Sequence, residues 1–157
     1  MEKFLITKEG YEKLKTELDD LKNNQRPQII DQIAEAREHG DLKENAEYHS
    51  AREKQSFIEA RIAELDDKFQ RAESIDVKSL SGDKVLFGAT VSLEDQDSGN
   101  VVKYKIVSDF EADIENGFIS SGSPVAKSLI GKFLNDDVEV RTPRGEIDYT
   151  ILKVEFI

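Results

Sequence analysis

The stretch HGDLKENAEYH, residues 39–49, separates two segments of helical periodicity, and its reading decides how they fold. Upstream, Tyr11, Leu14, Leu18 and Leu21 recur at steps of three and four, the spacing of one helix face. The stripe breaks at Gln25, Pro27 and Gln28 and resumes at Ile29, Ile30 and Ile33. Downstream, Tyr48, Ala51, Gln55, Ile58, Ile62, Leu65, Phe69 and Ala72 form a heptad seam over more than three repeats. Reversing the chain at Gly40–Asp41 sets Leu21 near Ile62, Leu18 near Leu65 and Leu14 near Phe69. The spacing therefore predicts an antiparallel coiled-coil hairpin across residues 1–75. The Thr7 hydroxyl is suited to cap its first helix. Pro27 lacks an amide donor and crowds the preceding turn, so a kink is expected there. Towards residues 39–49 the seam thins to Ala36, Ala46 and Ala51, which predicts a slender end. A hairpin buried inside a bundle is the alternative, but the opposite faces are crowded with Glu, Asp, Lys and Arg.

Past Ser74 the period changes. KVLFGATVSLED and VVKYKIVS are rich in β-branched and aromatic residues, and QDSGN between them is a hairpin signal. SPVAKSLIGK reads as a short helix capped by Ser123, with Pro124 at its first position. DVEVRTPRGEIDYTILKVEFI supplies two more strands joined through Pro143, Arg144 and Gly145. Four strands and one helix predict a small α+β domain at 81–157, with residues 76–80 as the linker.

Composition narrows the function. Net charge is −11, shared between the two halves, so the chain lacks the broad positive footprint of a protein that grips free duplex DNA. Cysteine is absent, which excludes disulfides and thiolate metal sites. No run of eighteen apolar residues occurs, and MEKFLITKEG reaches charged residues too early for a secretory leader; a soluble, cytoplasmic protein is expected. Walker and GxSxG motifs are missing, and SGSP carries serines with no evident base.

The turn supports two readings. Gly40 can end one helix, Asp41 can cap the next, and Glu44 can reach back as in a capping box. The same two carboxylates, three residues apart on a narrow tip, can also share one hard cation whose remaining ligands come from a partner. A phosphodiester hydrolase using two metals would be such a partner. His39 and His49 have no zinc spacing. Arg37, Lys43, Arg52 and Lys54 surround the tip and can steer a nucleic-acid phosphate or simply be solvated. Tyr48 can stack on a base, although its place on the seam favours core.

IAEAREHGDLKENAEYHSARE (Ile33 to Glu53), RPQII before it, and FGATVSL, YKIVSDFEADIENGFIS, SPVAKSLIGK and VEFI after it closely resemble the bacterial Gre transcript-cleavage factors, specifically the GreA type. The resemblance runs over nearly the whole chain. It implies an N-terminal hairpin followed by a C-terminal FKBP-like α+β domain that docks at the rim of the RNA polymerase secondary channel. It further implies that Asp41 and Glu44 at the tip help hold Mg²⁺ at the polymerase's own active centre. There the backtracked RNA 3′ end is hydrolysed, so the factor needs no cofactor of its own and is not itself an enzyme. By the same resemblance Ser123 and Pro124 are assigned to polymerase docking, while Arg37, Lys43, Tyr48 and Arg52 are expected to contact nucleic acid on their residue types and their place at the tip. A monomer with no membrane and no sequence-specific DNA partner is expected. In the family it resembles, product length tracks the size of the basic patch on the hairpin, so the few basic residues here imply short cleavage products. Two other functions remain to be weighed on this scaffold, a channel-plugging inhibitor of the polymerase and an FKBP-like prolyl isomerase or chaperone.

Overall fold

A computed structural model describes residues 2–41 and 44–157. The chain divides into two compact units, one spanning Tyr11–Ala72 and the other made of Glu2–Gly10 with Glu73–Ile157.

The first unit is the helical hairpin. Helix α1 (Lys8–Asp20) runs into a π-helical turn at Leu21–Gln25, and α2 (Arg26–Arg37) follows. Helix α3 (Ala46–Arg71) returns alongside as a single element of 26 residues, roughly 39 Å long at 1.5 Å per residue. The break expected at Pro27 takes the form of the π turn just before it. Pro27 has no N–H for the Asn23 carbonyl, and the turn widens so that Arg26 N–H donates to the Leu21 carbonyl, five residues back. Tyr11 stacks on Phe69 at one end (ring centroids 4.9 Å apart), and Arg37 meets Tyr48 at the other, so the arms run antiparallel. Leu14, Leu18, Leu21, Ile29, Ile33 and Ala36 are buried against Ala51, Ile58, Ile62 and Leu65.

Charged pairs flank this seam. Arg26 makes a two-pronged contact with Glu59 (2.8 and 2.9 Å), Lys22 meets Asp66 (2.9 Å), and Arg61 meets Glu17 (2.8 Å). All are substantially exposed, so each adds a fraction of a kcal/mol and serves mainly to select register, while stability comes from the seam. Leu65 is fully buried. Leu65→Ala is expected to cost about 2–5 kcal/mol, read from the shift of the denaturant midpoint at constant slope.

The second unit contains two sheets. Strand β1 (Phe4–Thr7) pairs with β2 (Ala72–Ile75). Strands β3 (Thr90–Asp95), β4 (Val101–Val107), β5 (Phe118–Ser120), β6 (Asp137–Thr142) and β7 (Gly145–Glu155) form a curled five-stranded sheet in the order β5-β4-β3-β7-β6. All neighbours are antiparallel except β4 and β5, which are parallel. The short helix α4 (Pro124–Leu129) buries Ala126 and Leu129 against Val91, Leu93, Ile106, Val140 and Ile151. Alternation along β6, with Val138 and Val140 buried between exposed neighbours, shows one face of the sheet turned to this core.

The β1–β2 sheet is not part of the sequence expectation, and two further features depart from it. The larger sheet has a fifth strand, Phe118–Ser120, too short at three residues to show a period of two. Residues 2–10 group with the C-terminal unit, although 1–75 reads as one helical segment. Thr7 is the cause. It caps α1 by accepting from Gly10 N–H (3.1 Å), and it is held by the Glu111 carboxylate. That carboxylate accepts from Thr7 N–H (3.2 Å), the Thr7 hydroxyl, Ser108 N–H (3.1 Å) and the Ser108 hydroxyl (2.8 Å). Gly10 leaves the room for it: a Cβ there would lie 2.2 Å from Glu111 Cδ.

Candidate functional site

The tip of the hairpin begins where α2 stops. Helix α2 ends at Arg37, with Glu38 N–H bonding the Glu35 carbonyl and His39 N–H the Ala36 carbonyl (3.1 and 3.2 Å). Gly40 follows at φ 126°, a conformation in which a side chain would be strained. Asp41 and Glu44 are exposed and line one shallow concavity together with His39, Asn45, Ala46 and Glu47. Lys43 lies outside the described residues.

The capping-box reading of the turn is corrected by these contacts. Neither Asp41 nor Glu44 caps the second helix. Helix α3 begins at Ala46, and Asn45 is its N-cap, with Oδ1 accepting from Tyr48 N–H at 3.0 Å. Asn45 is as good a cap as Asp and stands next to the helix body, so the helix starts four residues later than Asp41 would place it. The Asn45 side-chain amide also donates to the Ala36 carbonyl at 2.5 Å. The sequence did carry a signal for this: Asn45 stands three residues before the seam residue Tyr48, but Asp-x-x-Glu competed for the same role. With capping assigned to Asn45, the two acids are left on the surface.

Arg37, Tyr48 and Arg52 come together. The Arg37 guanidinium sits 5.7 Å from the Tyr48 ring centroid. Hydrogen bonding by Arg37, aided by the charge of Arg52, holds the Tyr48 phenol below its ordinary ionisation range. Tyr48 is half-buried and packs edge-on against His49 (5.5 Å), so it is at once a seam residue and part of a cationic surface. By contrast, burial pushes the Tyr149 phenol up. Arg37→Ala is therefore expected to move the most acidic tyrosine component upward in an ultraviolet titration, leaving the Tyr149 component where it was; no movement would show that Arg37 does not act on Tyr48.

Ser123 and Pro124 belong to the C-terminal unit. Ser123 is half-buried, its Oγ accepting from Ala126 N–H (3.3 Å), and Pro124 is exposed at the first position of α4. Among the described residues no three His, Asp or Glu side chains gather closely enough to hold a metal ion. A pair of exposed tip carboxylates suits a cation only as part of a coordination sphere completed from elsewhere.

The family models "Transcription elongation factor, N-terminal" and "Transcription elongation factor, GreA/GreB, C-term" match residues 4–73 and 80–156. The chain is 56% identical over 154 residues to the transcription elongation factor GreA of Rickettsia felis, covering 98% of this chain and 95% of that protein. It is 54% identical to the GreA of Phenylobacterium zucineum over 157 residues, covering all of both. Among solved structures, the GreA factor homolog 1 (Gfh1) of Thermus thermophilus aligns at 28% identity and a TM-score of 0.45, covering 98% of this chain and 99% of that one.

Proposed function

The chain belongs to the GreA/GreB family of transcription elongation factors, and on that footing we propose that it acts by lending the tip carboxylates Asp41 and Glu44 to the active centre of RNA polymerase. One observation carries the reading: two exposed acids share a concavity at the closed end of a two-helix hairpin, with capping left to Asn45. Reached through the secondary channel, the polymerase centre would have its Mg²⁺ coordination completed by these oxygens. Mg²⁺ bound there supplies an activated water and a clamp on the scissile phosphate of backtracked RNA. Arg37 and Arg52 then face the RNA with positive charge, and Tyr48, held by both, is assigned to stacking on a displaced base. Ser123 and Pro124, on the C-terminal unit, are assigned to docking on the polymerase.

In this reading the chain is an activator in the cytoplasm that contributes two carboxylates to another protein's nuclease centre and works as a monomer. The test is RNA 3′-end cleavage in a defined backtracked complex with Asp41→Asn and Glu44→Gln. Cleavage should fail while polymerase binding persists. Equal loss of binding would return the two acids to a structural role.

A further inference from the structure

Among the described residues, the side chain of Asn45 bridges the two ends of the tip turn. Asn45 uses both ends of its amide: Oδ1 accepts from Tyr48 N–H at the start of α3, and Nδ2 donates to the Ala36 carbonyl at the end of α2. The Ala36 carbonyl already accepts from His39 N–H at 3.2 Å, so its second lone pair receives the amide. The segment between these anchors contains Gly40 at φ 126° and both exposed acids, Asp41 and Glu44. Ala36 and Ala51, buried near the tip, are too small to fix the turn by packing alone. The Asn45 amide therefore ties the place where the loop leaves α2 to the place where it enters α3.

We infer that Asn45 is a positioning residue, clasping the ends of α2 and α3 so that Asp41 and Glu44 are held at the separation and angle that a shared cation requires. The inference rests on the proposed lending of those two acids. It assigns Asn45 no contact with RNA or metal. The donor and acceptor halves of the amide do different work. The acceptor starts a helix, which serine or aspartate would do equally well. The donor ties that helix to its partner, which neither can do: Asp lacks the N–H, and the Ser hydroxyl, bonded directly to Cβ, is too short to replace it.

The experiment separates the two halves. Asn45→Ser and Asn45→Asp keep the cap, so helical content and thermal midpoint of the full chain should match the wild type, and so should affinity for polymerase. Cleavage of a defined backtracked complex at saturating factor should fall about ten- to a hundredfold in both, since small misplacement of a reacting group costs rate on that scale. The Mg²⁺ concentration giving half-maximal cleavage should rise in both, a shift that helix capping alone would not produce. Asn45→Ala, which loses both bonds, should add a fall in thermal midpoint. Wild-type cleavage and Mg²⁺ response in Asn45→Ser would overturn the inference, as would a loss of cleavage that merely follows lost stability. Glu44→Gln run in parallel distinguishes the layers: if it is inactive while Asn45→Ser is normal, only the clasp fails. If Glu44→Gln cleaves normally, the lending of the acids fails and takes the clasp with it.

Discussion

Replacing Asp41 by Asn, or Glu44 by Gln, is expected to lower RNA cleavage by a stalled polymerase by about a hundredfold or more, without weakening the factor's binding and without unfolding it. Each change is nearly isosteric and removes one negative charge. The magnitude follows from the position of the lost group, because removal of a single charge-stabilising contact within an active centre costs about 10²–10³ in rate. For Glu44→Gln stability should move by no more than about 0.5 kcal/mol, as for surface substitutions that disturb no cap. Asn45, and neither acid, caps α3, and both acids are exposed. A mutant that had lost half of a capping box would behave differently, with a lower midpoint and frayed helix signal. Raising Mg²⁺ should recover part of the rate in either variant, since a lost ligand weakens occupancy before it alters the chemistry. Full activity in Asp41→Asn at low Mg²⁺ would remove that residue from the site.

Glu111→Ala is expected to produce the second large effect, this time on stability. The carboxylate accepts from two backbone amides and two hydroxyls, on Thr7 and Ser108. Thr7 and Ser108 are both buried, so truncation leaves amides facing the place where their acceptor stood. A loss of about 2–4 kcal/mol is expected from the orphaned groups, measured by denaturant unfolding. Glu111→Gln should cost less, because one amide oxygen remains and hydroxyls can reorient to accept as well as donate. Amide exchange should quicken in β1 and in the first turn of α1, the segment that Thr7 secures. If exchange there stays slow in Glu111→Ala, the carboxylate does not anchor the N-terminal strand. Gly10→Ala tests the same place from the other side by pushing a methyl group into that carboxylate.

The hairpin was legible because its signal is periodic and long. Ile58, Ile62 and Leu65 fall on one seam, and all three are buried. The short helix was legible for a local reason, since Ser-Pro fixes its first turn whatever packs around it. Strand β5 was not, because three residues carry no period and its pairing with β4 is non-local. The grouping of residues 2–10 with the C-terminal unit was hidden for a related reason. It rests on the pairing of β1 with β2 and on Glu111, 104 positions from Thr7, and nothing in FLIT announces those partners. At the tip, the acids and the basic residues around Tyr48 were visible by type and spacing. Which residue capped the helix was not, because Asp41, Glu44 and Asn45 all belong to classes that favour helix starts. The choice among them was made by the Ala36 carbonyl across the turn.

The π turn at Leu21–Gln25 has a consequence for the arithmetic of the seam. From Leu14, Leu18 and Leu21 a strict heptad would next bury positions 25, 28, 32 and 35, yet the buried residues are Ile29, Ile33 and Ala36. The pattern lags by one residue beyond the turn, while Ala51, Ile58, Ile62 and Leu65 on α3 keep unbroken step. The wide turn absorbs one surplus residue and returns the stripe to phase, acting as a vernier between two stretches of ordinary helix. Deleting one residue within it would put Ile29, Ile33 and Ala36 in the heptad phase of Leu14, Leu18 and Leu21, so the stripe would no longer need the wide turn to stay in step with α3.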